Sequence, residues 1–149
     1  MTDLSITLRA LHEADFDQWK ETWTAYLDFY ETTVKDDIYT TTFARLIAPE
    51  HSAQQAIVAM DGDMMVGLVH YIFHPHNWKI EDTCYLQDLY VASSQRGNGI
   101  GRALIEAVYA AADARGIPSV YWMTQDFNTQ ARLLYDNIAT LTPFIKYSR

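Results

Sequence analysis

The run Tyr85-Leu-Gln-Asp-Leu-Tyr-Val91, followed by Arg96-Gly97-Asn98-Gly99-Ile100-Gly101, decides how this chain is read. The first piece is apolar and reads as a strand. The second opens a helix in which Ile100, Ala103, Leu104, Ala107, Val108 and Ala111 share one face. Gly116 and Pro118 stop that helix, a glycine C-cap followed by a proline. Val120-Tyr-Trp-Met-Thr-Gln125 then reads as a second strand. Strand, glycine loop, helix and strand make a βαβ unit with its strands neighbours in one sheet. Glycines let the backbone turn tightly and approach a ligand closely. The helix start adds unpaired N–H groups and the positive end of the helix dipole. Together they form a cradle for a phosphate group.

Several readings of such a loop compete. A Walker loop requires Gly-Lys-Ser/Thr after a glycine and four residues, and the chain has none. A dinucleotide fingerprint requires GxGxxG, whereas Gly97, Gly99 and Gly101 read GxGxG. Asp126, at the end of the second strand, stands where a ribose-binding acid is expected, which keeps that rival open. The bland alternative is a glycine turn that only packs a helix on a sheet.

Residues 85–138 resemble the core of the GNAT superfamily of N-acetyltransferases. The loop matches the family's Arg/Gln-x-x-Gly-x-Gly/Ala signature at Arg96, Gly99 and Gly101. The preceding LQDLYV is similar to its fourth strand, and NTQARLLYD to its Asn-x-x-Ala-x-x-Leu-Tyr segment. The resemblance implies acetyl-coenzyme A as cosubstrate. It implies a pyrophosphate on the N–H groups of Arg96, Gly97, Asn98, Gly99, Ile100, Gly101 and Arg102. It implies pairing of the pantetheine arm with the backbone of Leu89, Tyr90 and Val91. Asn128 is then expected near the thiol end, and Tyr135 near the sulfur.

The chemistry sets its own demands. An amine must lose a proton before it attacks a thioester. The thioester oxygen needs a hydrogen-bond donor as charge develops, and a strand N–H near Leu89 or Tyr90 suits. The departing thiolate benefits from an acid, and a tyrosine suits that role. Tyr135 shares a helical face with Ala131, Leu134 and Ile138, so by spacing alone it reads as a core aromatic. The family match makes it the candidate catalytic acid. The proton acceptor stays open. Diamine relatives often carry a glutamate where this chain has Gln87, and glutamine is no base. Strand alternation turns Asp88 to the opposite face from Gln87. Asp126, Glu81, Asp82 and a water chain are other candidates.

At 149 residues, 49% of them hydrophobic, the chain is expected to form one domain, residues 1–149, with a real core. No apolar run reaches membrane-spanning length. Met1-Thr-Asp-Leu4 begins no secretory signal, and the lone Cys84 reads as a reduced, packed thiol, so a cytoplasmic protein is expected. The net charge of −8 disfavours nucleic acid and suits an acceptor that arrives as ammonium; plain solubility explains it equally well. The five histidines include His74 and His76, yet no cysteine or acidic cluster completes a metal site, and a solvated loop is expected there.

The first half reads as a strand at Ile6-Thr-Leu-Arg9 and an aromatic helix through Phe16, Trp19, Trp23, Tyr26, Leu27 and Tyr30, capped by Asp15. A second helix runs through Phe43, Leu46 and Ile47. Two strands, Gln55 to Met60 and Met64 to Phe73, join at Asp61-Gly62-Asp63. Most of the aromatic helix is expected to pack on the sheet. Tyr30, Glu31, Gln87 and Asp88 are candidate substrate contacts, with Asp36 and Asp37 nearby. Phe144-Ile-Lys-Tyr147 reads as a short final strand. That tail and the YW-x-T at Tyr121 to Thr124 resemble a GNAT branch with fungal histone and D-amino-acid acetyltransferases, in which the last strand can exchange between subunits. A homodimer is therefore expected.

The expectation is an α/β (α+β) fold with a mixed, mostly antiparallel sheet flanked by helices. Its reaction moves acetyl directly from acetyl-coenzyme A to a primary amine of a small molecule such as an amino acid or polyamine. A protein lysine or N-terminus is the alternative acceptor. A non-catalytic coenzyme A or nucleotide sensor and a dinucleotide-binding oxidoreductase are the alternatives outside the class. No metal, nucleic acid or membrane partner is expected.

Overall fold

A computed structural model describes residues 5–149; the stretch Met1–Leu4, read above as carrying no secretory signal, lies outside the described residues. Five strands form one sheet in chain order: β1 (Ile6–Ala10), β2 (Gln54–Asp61), β3 (Met64–His74), β4 (Thr83–Val91) and β5 (Val120–Tyr121). The first four are mutually antiparallel, and β4 runs parallel to β5. Between β1 and β2 lie α1 (Phe16–Phe29) and α2 (Asp36–Ile47). The crossover between β4 and β5 is α3 (Ile100–Ala114), and α4 (Thr129–Ile138) follows β5.

The sheet is covered on both faces, which explains why β3 is apolar almost throughout. On one face, Ile100, Leu104, Ile105, Val108 and Ala112 of α3 pack on Val69, Tyr71, Phe73, Cys84 and Leu86. On the other, Trp19, Trp23 and Leu27 of α1 and Tyr39 and Phe43 of α2 pack on Val58, Met60, Met65 and Leu68. The aromatic helix is thus mostly core, as its spacing predicts. Burial of the two tryptophans contributes several kcal/mol of apolar transfer, of order 2–3 kcal/mol each. No described helix is long and apolar enough to cross a membrane.

Three local expectations are corrected. Asp15 puts no side-chain hydrogen bond on the α1 terminus. Its carboxylate instead takes a bidentate pair from Arg9, at 2.7 and 3.0 Å, and the His12 N–H at 2.7 Å. The Arg9 hydrogen bond outweighs burial and holds Asp15 below the usual carboxylate range. The second strand of the βαβ unit is two residues long, not six. The tail forms no strand: Phe144, Ile145 and Tyr147 lie in coil, each more than three-quarters exposed. A lone strand gains stability only from a neighbour's ladder and an apolar face to cover. The tail finds neither within this chain.

Candidate active site

The short β5 leaves part of β4 open. It pairs with β4 only at Cys84↔Val120 and Tyr85↔Tyr121. From Leu86 to Val91, β4 keeps its ladder with β3 on one side and has no strand on the other. A half-open strand of this kind presents backbone donors and acceptors to an extended ligand. Leu89, Tyr90 and Val91 lie on that edge, half-buried.

The open edge leads to the glycine loop. Gly97 and Gly99 adopt φ of 87° and 80°, which disfavours side chains there. Gly99 is the N-cap of α3, and the first intrahelical bond runs from the Ala103 N–H to its carbonyl. The N–H groups of Ile100, Gly101 and Arg102 therefore precede the helical ladder and face outward from its positive end. Gly101 is helical, and a Cβ there would meet Val91 and Leu134 only at ordinary contact distance. Arg96 donates from Nε to the Val91 carbonyl at 3.0 Å, which ties the loop to the strand end. These features fit a pyrophosphate followed by an extended amide-bearing arm.

The next helix, α4, packs its Leu134, Tyr135 and Ile138 on the α3-side core, with Leu134 near Gly101. Asn128 is its N-cap and accepts the Ala131 N–H at 3.4 Å. Tyr135 lies half-buried, edge-on to Trp122 with centroids 5.4 Å apart. Burial and then the nearby Tyr30 push the Tyr135 phenol above its ordinary pKa, so it stays protonated at neutral pH. Among the described residues its hydroxyl has no hydrogen-bond partner.

A β-bulge interrupts β4 just before this edge. Register runs Val69↔Leu89 and His70↔Asp88, then steps to Tyr71↔Leu86, so Gln87 is the extra residue. Unbroken alternation would place Asp88 with Cys84 and Leu86 on the α3 face. The bulge reverses the parity: Leu89 and Val91 take the α3 face, and Tyr90 packs toward α1 and α2. Asp88 joins Tyr90 on that side, where His70 meets it at 2.8 Å. Gln87 itself is exposed at the bulge. Sequence reasoning missed His70 because a histidine inside an apolar strand carries no local signal. Its partner Trp19 donates from Nε1 to His70 Nε2 at 3.0 Å. The buried Trp23 indole N–H is unpartnered among the described residues.

Tyrosines complete the surroundings. Burial, then Asp88, Tyr30 and Tyr85, keep the Tyr26 phenol protonated. Tyr85 stacks on Tyr121 at 4.9 Å, and the Tyr121 hydroxyl meets His74 Nε2 at 2.8 Å, so His74 is tied to the sheet rather than free in its loop. Tyr30 is partly exposed and Glu31 takes a positive φ of 55° just beyond the α1 end. Asp36 pairs loosely with Lys20 at 3.8 Å, outside this group. Cys84 is fully buried, and burial pushes its thiol up to about 11, which leaves it a poor nucleophile.

The acetyltransferase (GNAT) family model matches residues 8–138. The chain belongs to this family. It is an acyl-transferring enzyme, an N-acetyltransferase, and the oxidoreductase reading of the loop falls away. The chain is 39% identical to the D-amino-acid N-acetyltransferase HPA3 of Saccharomyces cerevisiae over 152 residues, spanning 100% of this chain and 93% of that protein. It is 31% identical over 90 residues to the L-2,4-diaminobutyric acid acetyltransferase of Shouchella clausii, covering 60% of this chain and 49% of that one. Among solved structures, a ribosomal-protein-alanine N-acetyltransferase from Brucella melitensis superposes with a TM-score of 0.80 at 22% identity, covering 97% of each chain. An aminoglycoside N-acetyltransferase in complex with coenzyme A gives 0.82 at 16% identity, covering 97% of this chain and 93% of the other. These two likenesses concern the fold.

Proposed function

We propose that this N-acetyltransferase acts as one domain on a small-molecule primary amine, with acetyl-coenzyme A as cosubstrate and no covalent enzyme intermediate. The reading is carried by the open edge of β4, which runs into the left-handed glycines at the start of α3. In this reading the N–H groups of residues 96–102 hold the pyrophosphate. The backbone of Leu89, Tyr90 and Val91 holds the arm, and an N–H there steadies the thioester oxygen. Bound acetyl-coenzyme A supplies the acetyl group and a thiolate leaving group. Tyr135 offers its phenolic proton to sulfur, and Asn128 fixes the start of α4 beside it. The Tyr135 hydroxyl supports that role, since among the described residues no acceptor competes for it.

Both curated relatives are named for acetylating amino acids, which supports a small acceptor. The acidic surface suits one that arrives as ammonium. The exposed apolar tail supports a homodimer through the C-terminal segment, and the lone buried thiol suits the cytoplasm. The test is thiol release from acetyl-coenzyme A across amino acids of both hands, diamines, polyamines, aminoglycosides and a lysine-rich peptide. Release with small amines is expected. Release with the peptide alone would move the acceptor to proteins, and tight coenzyme A binding without any release would make the chain a sensor.

A further inference from the structure

Where β5 leaves β4, the sheet carries an aromatic group that belongs to neither core. Tyr85 and Tyr121 are the last paired residues of the two strands, and β4 is open from Leu86 onward. Their rings stack with centroids 4.9 Å apart and planes 12° from parallel. Cys84 and Leu86, on either side of Tyr85, point into the α3-side core, so Tyr85 stands on the opposite face of the sheet. Neither tyrosine ring joins either buried cluster. Tyr85 is half-buried and Tyr121 is 39% exposed.

The stack is held from β3. Phe73 lies in the α3-side core, so His74 shares the face of Tyr85. A carbonyl oxygen only accepts, so the 2.9 Å contact of His74 Nδ1 with the Pro75 carbonyl places the proton of a neutral ring on Nδ1. Nε2 then accepts, and the Tyr121 hydroxyl donates to it at 2.8 Å. The same two rings meet edge-on, with centroids 5.9 Å apart. Tyr121 is thus fixed by its hydroxyl and by one ring face, and it backs Tyr85. Among the described residues no ion pair includes Tyr85, Tyr121 or His74, so the group presents an uncharged aromatic surface. Rings already fixed in place lose little freedom when a ligand stacks on them.

Position sets the length of what would stack there. The N–H groups of Leu89 and Tyr90 suit the thioester oxygen. Tyr85 lies four residues before Leu89, one of them the bulged Gln87, which is roughly 10–13 Å of strand. Ring-to-ring contact takes about 5 Å of that span, and an attacking nitrogen stands about 3 Å from the carbonyl carbon. The remainder, roughly 2–5 Å, is the reach of a two- or three-carbon link at about 1.5 Å per bond.

We propose that Tyr85, backed by Tyr121, is a stacking platform for an aromatic ring on the acceptor, borne two or three carbons from its amine, and that His74 is the positioning residue of that platform. This rests on the acetyl-transfer reading and narrows its acceptor to amines with an aromatic side chain, aromatic amino acids among them.

The test measures thiol release from acetyl-coenzyme A by the full chain with three primary amines: 2-phenylethylamine, ethylamine and 1,4-diaminobutane. The KM for 2-phenylethylamine is expected about tenfold below that for ethylamine. Tyr85→Leu keeps apolar bulk and removes the ring face. It should cut that KM ratio about tenfold with kcat little altered, and Tyr85→Phe should restore the ratio. His74→Leu removes the tie on Tyr121 and should cut the ratio about threefold. Equal KM values for the two monoamines, or a ratio untouched by Tyr85→Leu, overturns the proposal. A KM for 1,4-diaminobutane that rises in Tyr85→Leu also overturns it, because the rings would then serve a cation. If no amine releases thiol, the acetyl-transfer reading fails by itself, and calorimetry on the chain loaded with coenzyme A decides the platform. Binding of 2-phenylethylamine that is lost in Tyr85→Leu sustains it, and absence of that binding overturns it.

Discussion

Tyr135→Phe isolates the acid role, because the structure separates the hydroxyl from everything else the residue does. The ring keeps its edge-on contact with Trp122 in the variant, and among the described residues the hydroxyl has no partner to leave unsatisfied. The stability cost is therefore small, about 0.5 kcal/mol or less, or a Tm shift of roughly 2 °C at this chain length. The catalytic cost is larger. Proton transfer by a positioned side chain contributes about 10²–10⁴-fold, and the lower end corresponds to about 2.7 kcal/mol of barrier. The expected result is a kcat about a hundredfold lower, with acetyl-coenzyme A affinity unchanged. The pH profile adds a second readout. Burial raises the Tyr135 pKa, so the wild type should lose activity only as pH rises above about 10 and the phenol ionises. That alkaline limb should vanish in the variant. A kcat within threefold of wild type, or a loss confined to cofactor affinity, would refute the assignment.

Three further outcomes are expected. Gly99→Ala forces a side chain into φ of 80°, at a cost of about 1–2 kcal/mol, and should weaken coenzyme A binding about tenfold by calorimetry as the helix start shifts. Asp15→Asn breaks the bidentate pair with Arg9 and should cost about 2 kcal/mol at neutral pH. Because the Asp15 pKa is depressed in the folded chain, its stabilisation is present above about pH 4 and lost as pH falls through the depressed value. Denaturant midpoints across that window should fall for the wild type and stay flatter for the variant. Truncation after Thr140 removes an exposed coil and should leave Tm nearly unchanged, whereas sedimentation should show the dimer lost.

Much of the molecule was legible because its signals are local. Ile100, Leu104 and Val108 declare α3 by spacing, and Gly97 and Gly99 declare the left-handed turn before it. The same holds for the hairpin between Asp61 and Met64. Where neighbours in space decide, spacing misled. Asp15 was drawn from its helix end by Arg9, and the strand-like tail from Phe144 to Tyr147 has no ladder to join.

The sequence by itself determined the left-handed glycine turn at the start of α3, the family's motifs and the two faces of the core, since each depends on residues within a few turns of one another. Only the tertiary structure decided which face Asp88 takes. A single extra residue, Gln87, reverses the parity of β4, and that reversal brings Asp88 to His70, eighteen positions away, and His70 to Trp19, fifty-one positions away. Side-chain parity in a strand is a running count, and a bulge resets it only through pairing with a neighbour.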